Sequence, residues 1–236
     1  MPEVLILNES SDPLHILRSL WEADAFDSLS VSEEDRQRHH DYAVRQVRDV
    51  KAHESDLEGF LKSLEMTATI EEVGPANLER VVTMLGKTNQ FNVTTRRHSR
   101  AQVQAMLGRP GSVALSLRLR DKFGDQGIVA VLLAIASNDP ATLVVDSFLV
   151  SCRALGRGVE DALWAAMLKR VDRQRVRRLE AEYVPTAKNS IVSDLYDRLG
   201  LQRIEHNSSL TRYVMEPVIP AKNPPWITSE NGTDER

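Results

Sequence analysis

Residues 144–160 constrain the fold of this chain more than any other stretch: Val144-Val145-Asp146-Ser147-Phe148-Leu149-Val150-Ser151-Cys152-Arg153-Ala154-Leu155-Gly156-Arg157-Gly158-Val159-Glu160. An apolar run rich in β-branched residues ends at Ser151 and predicts a strand. Val159, Leu163, Met167 and Val171 then recur at four-residue steps and predict an amphipathic helix. Between them lies a loop with glycines at 156 and 158, where backbone can approach a ligand closely. The unpaired N–H groups and positive dipole end of the following helix suit an anion, so a pyrophosphate or a pantetheine phosphate is the expected guest. Cys152 stands at the mouth of this loop, between the strand and the arginines Arg153 and Arg157.

The rest of the chain supplies partners for that unit. Residues 67–73 read as a strand. Pro75 and Asn77 introduce a helix carrying Leu78, Val81, Val82 and Leu85. A polar loop, 89–97, leads to Ser99, which caps a second helix carrying Val103, Met106 and Leu107 and ended by Gly108 and Pro110. Strict alternation over 113–120 predicts a half-buried strand, and the continuous apolar run 128–136 predicts a central strand buried on both faces. After the loop helix, the basic run 170–178 suits a helix C-terminus and, lacking aromatic residues, does not read as a nucleic-acid patch. Residues 179–184 read as a strand, 190–199 as a helix stopped by Gly200, and 203–215 as a closing hairpin.

Both ends read as accessory. Residues 1–65 form an expected helical arm: Leu14, Leu17, Leu20 and Trp21 share a helical spacing, as do Ala43, Val44, Val47 and Val50, and Ser55 with Glu58 makes a capping box before Phe60, Leu61 and Leu64. The adjacent His39 and His40 lack helical ligand spacing and fit a solvated face rather than a metal site. The domain proper spans 66–216. Residues 217–236 hold four prolines and a polar end, the composition of a flexible tail, with Trp226 docking locally.

Composition narrows the function classes. A net charge of -4 gives no basic excess for tracking a nucleic-acid backbone. One cysteine excludes an internal disulfide and a thiolate metal cluster and fits a reducing compartment. The first residues lack the basic and long apolar regions of a signal peptide, and no run reaches membrane-spanning length. The expectation is a cytoplasmic chain with no metal, no nucleic acid and no membrane.

A strand, two helices, three antiparallel strands, a helix, a strand, a helix and a hairpin is the order of the GNAT acyltransferase fold. The class expected is α/β (α+β), a mixed, mostly antiparallel sheet flanked by helices. Arg153-Ala154-Leu155-Gly156-Arg157-Gly158 resembles the acyl-CoA pyrophosphate motif of that superfamily, and 189–201 resembles its second cofactor motif. The resemblance implies that Asn189 contacts a pantetheine arm and that Tyr196 protonates a leaving thiolate. Four longer stretches, 87–97, 117–125, 148–160 and 182–189, resemble in order the C-terminal half of FkbH-like proteins, which fuse a haloacid-dehalogenase-type phosphatase to a GNAT-like domain. That family moves a glyceryl unit from a phosphorylated glycolytic acid to an acyl carrier protein in polyketide pathways. The resemblance runs from Ser32 to Met215. It implies acyl-CoA or carrier-protein phosphopantetheine as substrate, with an acyl carrier protein and a phosphatase domain or subunit as partners. The chain carries no Asp-x-Asp-x-Thr/Val phosphatase nucleophile, so no phosphatase activity is expected of it.

Transfer between thiols needs a thiolate, an oxyanion donor and a groove for the pantetheine arm. Cys152, beside Arg153 and Arg157 and near a helix start, is the candidate nucleophile; the alternative is a small buried residue at a strand end. Tyr196 is the candidate acid, or a core aromatic. Asn89, Asn92, Thr95 and Arg96 suit a polyhydroxy or phosphorylated acyl group, or else satisfy backbone in a long loop. His98 is a general base or a surface residue. Asp146 and Glu182, in strands, pair with an arginine or face the acyl site. Three functions stay open: a thioester-to-thioester glyceryl transferase using Cys152, a CoA-dependent N-acyltransferase using Tyr196, and a non-catalytic carrier-docking module.

Overall fold

The computed structural model describes residues 57–232. Of the arm expected over 1–65, residues 1–56, with His39 and His40, lie outside them, as do residues 233–236. The described elements are α1 (Leu57–Ser63), β1 (Met66–Glu72), α2 (Leu78–Lys87), β2 (Phe91–Asn92), α3 (Arg100–Leu107), β3 (Val113–Asp121), β4 (Gly124–Ala136), β5 (Thr142–Val150), α4 (Val159–Arg170), β6 (Arg178–Tyr183), α5 (Leu195–Arg198), β7 (Gln202–His206), β8 (Thr211–Met215) and β9 (Ile227–Asn231). One mixed sheet runs β7-β8-β6-β5-β4-β3-β1-β9, with β2 added to β5. Its pairs are antiparallel except β5–β6 and β1–β9. The architecture is the expected mixed, mostly antiparallel sheet flanked by helices.

The apolar run of β4 is central because it feeds two cores at once. Ala130, Leu132 and Ala134 belong to the cluster that contains α1 and α4, while Val131, Leu133 and Ile135 belong to the one under α2 and α3. The period of two places alternate residues on opposite faces, and burying each large aliphatic side chain stabilises the fold by about 1.5–3 kcal/mol. In α3 the Ser99 cap is complete: its hydroxyl accepts from the Gln102 N–H, and the Gln102 side chain accepts from the Ser99 N–H.

Four expectations are corrected. The helix read over 190–199 is broken into a 3-10 turn, Ser190–Val192, and the single-turn α5, and Asn189 just before them is wholly buried. The helix α1 belongs to the folded domain, not to an arm: Leu61 and Leu64 are buried in the α4-side core. The stretch after Met215 is not a tail, since β9 pairs in parallel with β1 from Met66↔Ile227 to Ile70↔Asn231, and Val218 and Ile227 are buried. Finally, α4 is buried almost all round rather than amphipathic, Glu160 included. The sheet covers one side of it, and the 217–227 stretch packs Val218, Ala221, Trp226 and Ile227 into the same core.

Candidate active site

Strand β5 organises the site because it is irregular at both ends. Ser147 pairs with Leu133 and Val145 with Ala134, leaving Asp146 as the extra residue of a β-bulge. Bulges re-aim side chains, and this one sends the Asp146 carboxylate sideways. At the other end the strand passes into a 3-10 turn, Cys152–Ala154, and then into the glycine loop.

At the loop end, Cys152 is exposed. Gly156 and Gly158 adopt left-handed conformations, φ 73 and 78, which other residues enter at a cost. Gly156 faces open space; a Cβ on Gly158 would lie 3.3 Å from Trp226 Nε1 and 3.4 Å from Pro224 Cγ. Ala154 is buried, and Leu155 packs against the core. Arg153 accepts at its carbonyl from Arg157 Nη2 at 2.8 Å. The Arg157 guanidinium points inward, with Nη1 3.0 Å from Asp121 Oδ2 in a pair 7% and 0% exposed. It shapes the loop from beneath rather than meeting a ligand. The start of α4 is acidic: Glu160 accepts from its own backbone N–H, and burial pushes its carboxyl, and that of Asp161, up from the usual range.

At the bulge end, β5 and β6 run parallel from Thr142↔Arg178 to Val145↔Ala181 and then part. The gap is stitched by residues 91–96. Phe91 and Asn92 pair with Val150 and Leu149, the Val93 N–H donates to Phe148 O at 3.2 Å, and the Val184 N–H donates to Val93 O at 2.8 Å. Asn189, wholly buried, locks the stitch: Nδ2 donates to Asn92 O at 2.9 Å and Val184 O at 3.0 Å, while Oδ1 accepts from the Thr186 N–H at 2.7 Å. Asn92 donates to Thr88 O and accepts from the Thr95 N–H at 2.9 Å. That bond holds Thr95 at φ 52, a strained conformation for a β-branched residue, costing about 1–3 kcal/mol. Arg96 bridges Asp146 Oδ1 at 3.1 Å and Glu182 Oε2 at 2.6 Å, Arg212 meets Glu182 at 3.2 Å, and His98 Nε2 lies 2.6 Å from Asp146 Oδ2.

The sequence-predicted residues thus fall into two groups. Cys152 and the 153–158 loop form one, and the antiparallel register Phe91↔Val150 directs the turn holding Asn89 toward it. Asn89 itself is engaged by Arg97 Nη2. Asn92, Thr95, Arg96 and Asn189 form the other, with Tyr196 nearby: its hydroxyl is buried without a partner, packs between Trp164 and Tyr213, and feels the charges of Arg96, Asp146 and Glu182. Burial drives its pKa upward, so it is not placed as a proton donor to solvent-borne substrate. From Asp146 to Val150, where the strand ends, is roughly 13 Å at about 3.3 Å per residue, so the Asp146 ion pairs and the Cys152 thiol lie at opposite ends of the strand, with Asn92, paired with Leu149, between them. His98 paired with Asp146 is the dyad that reading along the chain did not assemble; the two are joined only by the bulge.

Between β5 and β6 the gap is filled by residues 91–93, which bond to Phe148–Val150 on one side and to Val184 on the other. The outer side of the loop, at Gly156, is open. Among the described residues, no group of three or more His, Cys, Asp or Glu is arranged to hold a metal ion, and no helix is long and apolar enough to cross a membrane.

Element order, the bulged and parting central strands and the glycine loop give the mixed, mostly antiparallel sheet flanked by helices that is expected of the GNAT fold. No protein-family model and no curated protein matches the chain. Among solved structures it is similar to the GNAT domain of PAT from S. lividans, at 17% identity over 62% of this chain and 89% of that one, with a TM-score of 0.49. It is similar to the ribosomal-protein-S18-alanine N-acetyltransferase of Escherichia coli, at 13% identity over 66% and 97%, with a TM-score of 0.48. Ard1 from Thermoplasma volcanium is similar at 16% identity over 63% and 97%, also at 0.48.

Proposed function

We propose that this chain is an acyltransferase that passes a glyceryl-type hydroxyacyl group between thioesters, with Cys152 as the way station and an acyl carrier protein as acceptor. The reading draws its family context from the FkbH-like resemblance and would place the chain in cytoplasmic polyketide or secondary-metabolite biosynthesis, beside a phosphatase domain or subunit. One observation carries it: the thiol of Cys152 is exposed at the loop mouth, whereas Tyr196, the acid an N-acyltransferase would use, is buried.

The Cys152 thiolate attacks the carbonyl carbon of the donor thioester. The bond to the donor sulfur breaks, and the departing thiolate takes a proton from water. The carrier's pantetheine thiolate then attacks the acyl-Cys152 thioester and frees Cys152. The arm reaches the thiol from the open Gly156 side. Intact-mass spectrometry after incubation with a glyceryl-loaded carrier protein or glyceryl-CoA is expected to show one glyceryl adduct on wild type and none on Cys152→Ala. Thiol release only on adding an amine would favour N-acyl transfer. Silence throughout would favour a docking module, a reading to which the stitched gap between β5 and β6 lends weight.

A further inference from the structure

The first turns of α4, the end of α5 and residues 221–226 line a cavity of ≈ 370 Å³. None of residues 152–158 is among its lining, so it is separate from the thiol and the glycine loop. Small-ligand sites run from about 300 to 1,000 Å³, and a cavity near the lower bound suits a molecule of one or two rings.

The walls are fixed in place. Trp164 is wholly buried, its ring stacked on Phe148 with centroids 6.3 Å apart and met edge-on by Tyr196 at 6.5 Å. Trp226 packs against the core, and its indole N–H donates to Arg157 O at 2.8 Å. Pro224 and Pro225 restrict their own backbone, and the Asn223 side chain between Lys222 and Pro224 is engaged at both ends: Nδ2 donates to Pro224 O and Ile227 O, and Oδ1 accepts from the Ser229 hydroxyl at 2.8 Å. Two indoles and two prolines therefore offer apolar surface that binding need not order, which favours a flat apolar guest.

The polar lining adds the guest's charge. Arg198 and Lys222 face one carboxylate on the lining, Asp161, an excess of one positive charge. Arg198 meets Asp194 only loosely, Nε to Oδ2 at 3.5 Å with its own side chain 44% exposed, so its planar fork can still take a carboxylate. Lys222 is exposed too, which puts both cations at the rim. The inner wall carries a donor instead: Trp164 Nε1 is buried and has no hydrogen-bond partner. A buried donor left unmet is a cost that an acceptor on a bound molecule would relieve.

We propose that this cavity is a second ligand site, one that binds a planar aromatic carboxylate: its ring lies against Trp164, Trp226 and the prolines, its carboxylate meets Arg198 and Lys222, and an acceptor at its far end takes the Trp164 N–H. The site does not depend on the role given to Cys152.

The probe is 6-hydroxy-2-naphthoate, titrated by calorimetry into the full chain, with one site expected. 2-Naphthol, which lacks the carboxylate, is expected to bind about tenfold more weakly, and 2-naphthoate, which lacks the hydroxyl acceptor, about fivefold more weakly. Arg198→Gln and Lys222→Gln change exposed side chains and leave the core intact; each is expected to lose about tenfold for the hydroxy acid and nothing for 2-naphthol. Trp164→Phe keeps a ring in the wall and is expected to erase the preference for the hydroxy acid over 2-naphthoate. Saturating CoA is expected to leave hydroxy-acid binding unchanged. No binding by wild type, equal binding of 2-naphthol, undiminished binding in both rim variants, a hydroxyl preference that survives Trp164→Phe, or displacement by CoA overturns the proposal.

Discussion

At the Cys152 end of β5 a thiol and a left-handed glycine face solvent, and the charge beneath them is neutralised from inside by Arg157 and Asp121. At the Asp146 end of the same strand, Asp146, Glu182, Arg96, Arg212 and His98 meet one another across the gap that residues 91–96 close. The first end uses its ion pair to shape a loop and leaves the Cys152 thiol exposed. The second spends its side chains on holding two parting strands together. What separates the two ends is that the polar side chains at the bulge are engaged with one another, whereas the thiol at the loop is exposed.

Three substitutions sharpen or break that contrast. Arg157→Ala leaves the wholly buried Asp121 carboxylate without its guanidinium and is expected to cost about 3–5 kcal/mol in urea unfolding. It also removes the Arg157 Nη2 contact to the Arg153 carbonyl that holds the loop beside Cys152, so modification of Cys152 by an aromatic disulfide is expected to quicken. Asn189→Ala strands the carbonyls of Asn92 and Val184 and the N–H of Thr186, an expected loss of about 2–4 kcal/mol, with the Cys152 modification rate unchanged. A rate that rises there as it does for Arg157→Ala would show the two ends to be coupled and would end the comparison.

Glu160→Gln has the smallest effect. Burial, assisted by Asp161 and opposed by Arg198, raises the Glu160 carboxyl, so the folded chain holds that proton more tightly than the unfolded chain. Its contribution is present below the ordinary value of 4.5 and is lost as pH rises through it toward the folded value. The amide variant is expected to flatten that decline and to be more stable at pH 7 by about 1 kcal/mol, read from urea unfolding at pH 4.5 and 7.

Much of this was legible in the sequence where the signal is local. Alternation gave β3, the apolar run gave β4, Ser99 gave the start of α3, and the two glycines marked the loop. What escaped depends on distant pairing. Ile227–Asn231 has one buried residue and four exposed ones, so no alternation announces an edge strand. Phe91–Asn92 is two residues long and is a strand only because β5 offers it an edge. His98 has no local signal separating it from a surface histidine, since its partner is 48 residues on. Asn189 was legible as important but not as a latch, because its acceptors lie on two other segments.

The parallel pairing of β9 with β1 also bears on how the chain is made. Met66 is translated well before Ile227, so the open edge of β1 waits, unpaired and able to recruit a strand from another chain, until nearly all the described residues have been translated. A ribosome that stalls short of β9 would release a molecule with a nearly complete core and an unprotected border.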